Sequence, residues 1–107
     1  MEVRFIYITA SSTDEARQIG RILVAERLAA CVNIIEGMNS MYWWEEEIQD
    51  DREAVLIAKT KESLVSDLVE RVKTLHSYEV PCIVSLPVLG GYQPFLDWIL
   101  EETEDRD

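Results

Sequence analysis

The run from Ala29 to Thr60, AACVNIIEGMNSMYWWEEEIQDDREAVLIAKT, limits what this chain can fold into more than any other feature. Its first half, Cys31 to Trp44, is dense in β-branched and aromatic residues. Its second half closes on the apolar run Ala54-Val55-Leu56-Ile57-Ala58, so both halves read as strands. Paired, they make a long hairpin that reverses within Glu45-Glu46-Glu47, where no Asn-Gly or Asp-Gly signal selects a turn type. Side chains alternate across a strand, and here both sides are apolar: Val32 and Ile34 against Cys31 and Ile35, Val55 and Ile57 against Ala54, Leu56 and Ala58. A sheet built from such strands needs cover on both faces.

The flanking segments supply part of that cover. Val3 to Thr9 is a first strand with two mostly apolar faces, Val3, Phe5 and Tyr7 on one and Arg4, Ile6 and Ile8 on the other. Ser12 and Glu15 have capping-box spacing, which predicts that the Glu15 carboxylate reaches back to the amide of the cap residue. A helix from Thr13 to Leu28 follows, with Ala16, Ile19, Ile22, Leu23 and Val24 near a period of 3.6 and Gly20 set for close contact with a sheet. Lys61 to Leu75 carries the clearest amphipathic stripe, Leu64, Val65, Leu68, Val69, Val72 and Leu75, opposed by Glu62, Asp67, Glu70 and Lys73. Val80 to Leu86 reads as an edge strand, entered through Pro81 and stopped by Pro87. Pro94 starts a last helix through Thr103 that buries Phe95, Trp98 and Ile99, and Glu104 to Asp107 form a solvated tail. The order strand, helix, strand, strand, helix, strand and helical appendix predicts an α+β, ferredoxin-like βαββαβ sandwich, a single domain over residues 1–107. Two helices cover only one sheet face, so the second face calls for an oligomer.

Composition narrows the partners. With 21 acidic against 10 basic residues the formal net charge is −11, which repels phosphate backbones and predicts no nucleic-acid partner and no anionic membrane. The start has no basic segment followed by a long apolar one, and no stretch reaches membrane-spanning length. Cys31 and Cys82 lie in apolar runs without metal-ligand spacing, which predicts free buried thiols in a reducing compartment, the cytoplasm.

Several strings carry a family resemblance. Glu26-Arg27-Leu28-Ala29-Ala30-Cys31-Val32-Asn33-Ile34, Ser40-x-Tyr42-x-Trp44-Glu45, Ile48, Lys59-Thr60, His76-Ser77-Tyr78-Glu79-Val80-Pro81 and Phe95-Leu96-x-Trp98 together resemble the CutA family, known for divalent-cation tolerance. The match runs in order along nearly the whole chain. The resemblance implies a homotrimer whose sheets pack around a three-fold axis and whose long hairpins meet neighbouring subunits. It also implies copper binding. Members credited with copper ligands have a Cys closing the first strand and a His pair before the Pro-Tyr, and here Ile8 and Leu75-His76 stand at those places. Ser77 replaces the usual Pro, and Glu46 replaces the Gly of the hairpin tip.

Residue chemistry alone is thinner. There is one His, no recognisable nucleophile setting and no Gly-rich phosphate loop after a strand, so a binding role is expected and not an enzyme. His76 either sits at a helix end to meet the macrodipole or, with Glu79, offers an imidazole and a carboxylate to Cu(II) or Zn(II). Glu45, Glu46, Glu47, Asp50, Asp51 and Glu53 read as a solvated, charged tip, and the two thiols as core filler. Tyr42, Trp43 and Trp44 either anchor an interface or stack a ligand, and Lys59 and Tyr78 are the polar groups expected in an intersubunit cleft. The expectation is thus a cytoplasmic homotrimer for divalent-cation tolerance that binds copper weakly and requires no cofactor. The alternative is a trimer resembling the nitrogen-regulatory PII proteins, with small molecules bound in intersubunit clefts.

Overall fold

The structure, a computed structural model, describes residues 2–104. In chain order it forms β1 (Val3–Ala10), α1 (Thr13–Ala25), β2 (Cys31–Trp44), β3 (Glu47–Lys61), a 3-10 turn (Glu62–Leu64), α2 (Val65–Leu75), β4 (Ile83–Pro87) and α3 (Gln93–Glu102). It is an α+β fold with one antiparallel sheet in the order β2-β3-β1-β4. The central hairpin forms as expected. Its reversal is a two-residue loop, Glu45-Glu46, with both φ angles positive at 51° and 66°, the type I′ geometry whose twist matches the strands.

Alternation sorts the sheet into two faces. Ile6, Ile8, Ala10, Ala54, Leu56 and Ala58 meet Ala16, Ile19 and Leu23 of α1 and Leu68 and Val72 of α2 in the main core. Gly20 lets α1 approach, because a Cβ there would stand 2.9 Å from Val32 Cγ2 and 3.3 Å from Leu56 Cδ1. The other face carries Phe5, Tyr7, Val55, Ile57, Ile35, Val84 and Leu86. Its cover comes from α3, whose Leu96 and Ile99 bury Val3 and pack against Phe5. Parts of that face are open, with Ile35 54%, Val84 47% and Leu86 46% exposed.

Several boundaries differ from the sequence reading, each for a local reason. The first helix stops at Ala25, three residues early. Arg27 adopts φ 61° and the Leu28 and Arg27 amides bond back to Leu23 and Val24, which is a Schellman stop with Arg at the position usually held by Gly. The capping box is also shifted. Ser12 Oγ accepts from the Glu15 amide at 3.1 Å, but the Glu15 carboxylate accepts from the Ser11 amide and hydroxyl, both at 2.9 Å, and not from Ser12. Lys61 ends β3 and a 3-10 turn precedes α2, because Lys61 still pairs with Val3 across the sheet. The last strand starts at Ile83, not Val80. It is an edge strand, paired with β1 alone, and Pro87 closes it. In α3 the buried residues are Leu96 and Ile99, whereas Phe95 and Trp98 stay 40% and 37% exposed and stack on each other at 5.7 Å. Of the expected tail, residues 105–107 lie outside the described residues.

Candidate functional site

One irregularity in β2 builds the site. Ile35 pairs with Val55 but Met38 pairs with Glu53, so Glu36 and Gly37 together stand opposite Ala54. Gly37 takes φ 69°, a conformation glycine adopts without a Cβ clash. Such a bulge flips the facing of every later side chain. Beyond it Met38, Ser40, Tyr42 and Trp44 share the face of Glu53 and Asp51, while Trp43 alternates to the opposite side. Together with Tyr7 and Thr9 of β1 and the Ser77–Cys82 loop, the Tyr42 and Trp44 side bounds a cleft of about 830 Å³.

Glu53 is the buried acid of this cleft, only 8% exposed. The Tyr78 hydroxyl donates to its Oε2 at 2.7 Å. Burial pushes the Tyr78 phenol well above the usual tyrosine range, and the bond to Glu53 pushes it the same way. At the rim the Tyr42 hydroxyl donates to Asp51 Oδ2 at 2.7 Å, and that bond raises the Tyr42 phenol as well. The Tyr7 hydroxyl meets Met38 Sδ at 3.6 Å.

The loop that carries Tyr78 is pinned from behind. Nε2 of His76 lies 2.7 Å from the Thr9 carbonyl oxygen, and Nδ1 accepts from the Tyr78 amide at 3.1 Å. A carbonyl can only accept and an amide can only donate, so the ring carries its proton on Nε2 and its lone pair on Nδ1 is in use. The Tyr78 ring leans on the imidazole at 4.8 Å. One residue on from His76, the Ser77 amide donates to Glu15 Oε2 at 2.8 Å, tying the loop to the start of α1. Burial raises the Glu15 pKa, but hydrogen bonds from Ser11 and Ser77 outweigh it and bring it from the ordinary 4.5 down to about 2.

The structure therefore gathers Tyr42, Trp44, Tyr78 and Glu79 around one cleft and leaves other candidates outside it. Trp43, 70% exposed, is turned away by the bulge. Lys59 lies further along the same sheet face, bonded to Asn33 Oδ1, with its ammonium 5.5 Å from the Phe5 ring centroid and 6.0 Å from that of Phe95. Cys31 and Cys82 are free and half-buried, so neither is the core filler expected, and Cys82 faces the cleft. Glu53, which its acidic neighbours group with the solvated tip, is instead buried beside Tyr78. The copper site implied by the resemblance fits poorly. An ion on His76 would have to replace the Tyr78 amide at Nδ1, and among the described residues no group of three His, Cys, Asp or Glu side chains converges.

Comparison with known proteins decides the family. The family model described as CutA1 divalent ion tolerance protein matches residues 4–102. The chain belongs to this family. It is 48% identical over 98 residues to the divalent-cation tolerance protein CutA of Thermus thermophilus, covering 92% of this chain and 95% of that one. Against the Archaeoglobus fulgidus protein of the same name it is 44% identical over 100 residues, covering 94% and 97%. It spans only 56% of the chloroplastic CutA 1 of Oryza sativa, at 41% identity over 94% of this chain. A solved CutA1 structure from Thermus thermophilus superposes with a TM-score of 0.92 at 46% identity, covering 95% and 99% of the two chains. The CutA1 structure from Oryza sativa gives 0.94 at 39% identity, covering 99% and 97%.

Two departures from the CutA pattern now have structural content. Ser77, at the place of the usual Pro, supplies the amide that Glu15 accepts from, which a proline lacks. Glu46, at the place of the tip Gly, holds φ 66° with a side chain attached. No helix among the described residues is long and apolar enough to cross a membrane.

Proposed function

We propose that this chain serves divalent-cation tolerance as a cytoplasmic homotrimer of ferredoxin-like subunits, by binding and not by catalysis. The observation that carries the reading is the half-covered sheet face, where the apolar residues Ile35, Val84 and Leu86 stand about half exposed. The sheet order β2-β3-β1-β4 with α1 and α2 on one face supports the ferredoxin-like assignment. Light scattering coupled to size exclusion tests the assembly. The expected mass is three times 12.4 kDa, and Val84→Asp should shift it toward the protomer by placing a charge in the contact. A stable monomer of the unaltered chain at micromolar concentration would refute the reading.

A second reading, ligand binding in the manner of PII-like trimers, is favoured by the cleft of about 830 Å³ with its buried carboxylate. Direct copper(II) contact at His76 and Glu79 is weak on either reading, since Nδ1 must first release the Tyr78 amide. Calorimetry with Cu(II) on the wild type and His76→Ala checks this. A tight site that the substitution abolishes would overturn it.

A further inference from the structure

We propose that the cleft between the hairpin arm and the Ser77–Cys82 loop binds a small organic cation, an ammonium head carrying an apolar body. The inference rests on the ligand-binding reading and adds the class of ligand. Four aromatic rings line the cleft, Tyr7, Tyr42, Trp44 and Tyr78, and the acids that line it are Glu53 and Glu79. No Lys or Arg of the subunit itself stands among the lining residues, so the charge that the subunit gives the cleft is of one sign. Glu53 is more than nine-tenths buried, and only Oε2 is engaged, by Tyr78. Among the described residues Oε1 takes no hydrogen bond, yet it is not sealed from solvent, so it is open to a ligand in the cleft.

Aromatic faces attract cations through their quadrupoles, and the attraction grows as water is excluded. A bare divalent ion needs several converging donors, which the described residues do not assemble. An ammonium ion with alkyl groups instead needs aromatic walls and a carboxylate at one side. An anionic ligand would meet Glu53 and Glu79 with no lining cation of the subunit itself to offset them. A volume of about 830 Å³ leaves room for a body beyond the ammonium head.

The test uses choline as the probe and 3,3-dimethylbutan-1-ol as its uncharged counterpart, at constant ionic strength so that the net charge of −11 is screened equally. NMR of the full chain labelled with 15N follows the indole N–H signals. Choline should shift the Trp44 signal saturably and leave that of Trp98, which is not among the lining residues, unmoved. The uncharged alcohol should bind at least about tenfold more weakly. Glu53→Gln, which keeps an acceptor for Tyr78, should weaken choline by about fivefold or more, and Tyr42→Leu on the exposed rim gives an independent loss if the first variant folds poorly. Light scattering on each sample reports assembly, so a trimer that ignores choline sinks this inference while leaving the proposed assembly intact. Equal binding of choline and the alcohol, equal shifts at both indoles, or unchanged affinity in both variants each overturns it.

Discussion

Replacing Tyr78 by Phe removes one oxygen and tests how the floor of the cleft is held. The lost bond is the 2.7 Å contact to Glu53 Oε2, and the residue left behind is a carboxylate only 8% exposed. A hydrogen bond to a charged group contributes about 1.5–3 kcal/mol, and leaving the charge buried without it costs an amount in the same range. Tyr78 is itself partly exposed, so water can take part of the vacated position, and we expect a destabilisation of about 1.5–2 kcal/mol. Urea unfolding followed by Trp fluorescence measures it, at one fixed protomer concentration because assembly adds to apparent stability. The control is Glu53→Leu, alone and with Tyr78→Phe. Each single change strands a polar group, while the pair replaces both partners with apolar ones, so the double variant should be less destabilised than the sum by about 1 kcal/mol or more. Additive losses, or a Tyr78→Phe variant within 0.5 kcal/mol of the wild type on the same scale, would refute the reasoning, because Glu53 would then be solvated and not held by the phenol.

Other expectations follow from contacts of the same kind. Gly20→Ala should destabilise by about 1–2 kcal/mol in the same urea assay, since the new Cβ would stand 2.9 Å from Val32 Cγ2 and overpacking outweighs the gain in helix propensity. Glu46→Gly should stabilise by about 1 kcal/mol by relieving the positive φ of 66° in a type I′ turn, read as a higher urea midpoint. Glu15, depressed from 4.5 to about 2 by its bonds to Ser11 and Ser77, adds stability that is complete above pH 4.5 and is lost as pH falls toward 2. Glu15→Gln should therefore lower stability by about 1–2 kcal/mol at neutral pH, allowing for solvent screening, and the difference from wild type should vanish near pH 2.

Much of the fold was legible because it rests on periodicity. The doubly apolar strands, the stripe of α2 and the Gly20 approach each follow from one-dimensional patterns that folding leaves intact. The failures have physical causes that a pattern does not carry. Arg27 ends α1 in a left-handed conformation that its residue type does not announce. Phe95 and Trp98 look like core residues, yet the face of α3 turned to Val3 is set by Leu96 and Ile99. Part of the candidate cleft was legible: Tyr42, Trp44, Tyr78 and Glu79 stand out by residue type, and all four line it. Glu53 was missed through its neighbours. It follows Asp50, Asp51 and Arg52 and so resembles the tip, but alternation from Val55 and Ile57 puts it on the same apolar face, and that parity was the available signal. Trp43 falls outside the cleft because one extra residue at Glu36-Gly37, invisible to composition, decides which of two adjacent tryptophans faces it.

That bulge also links the cleft to the assembly. Residues 41–48 are all exposed, so the outer arm of the hairpin is ordered by its own ladder and by cross-strand bonds such as Asn39 to Asp50 at 2.6 Å and Tyr42 to Asp51 at 2.7 Å. A two-stranded ribbon without a packed face is only marginally stable in water. The strained Glu45-Glu46 turn works against it and cannot order the arm from its end. Tyr42 and Trp44, which form one wall of the cleft, therefore have fixed positions only to the degree that something rests on the arm. In the proposed trimer that is a neighbouring subunit. Tyr7, Glu53 and Tyr78 stand on or beside the central strands, pinned through His76 and Glu15. One wall of the cleft is thus rigid within the subunit and the other depends on assembly, so affinity for a cleft ligand and trimer stability should rise and fall together.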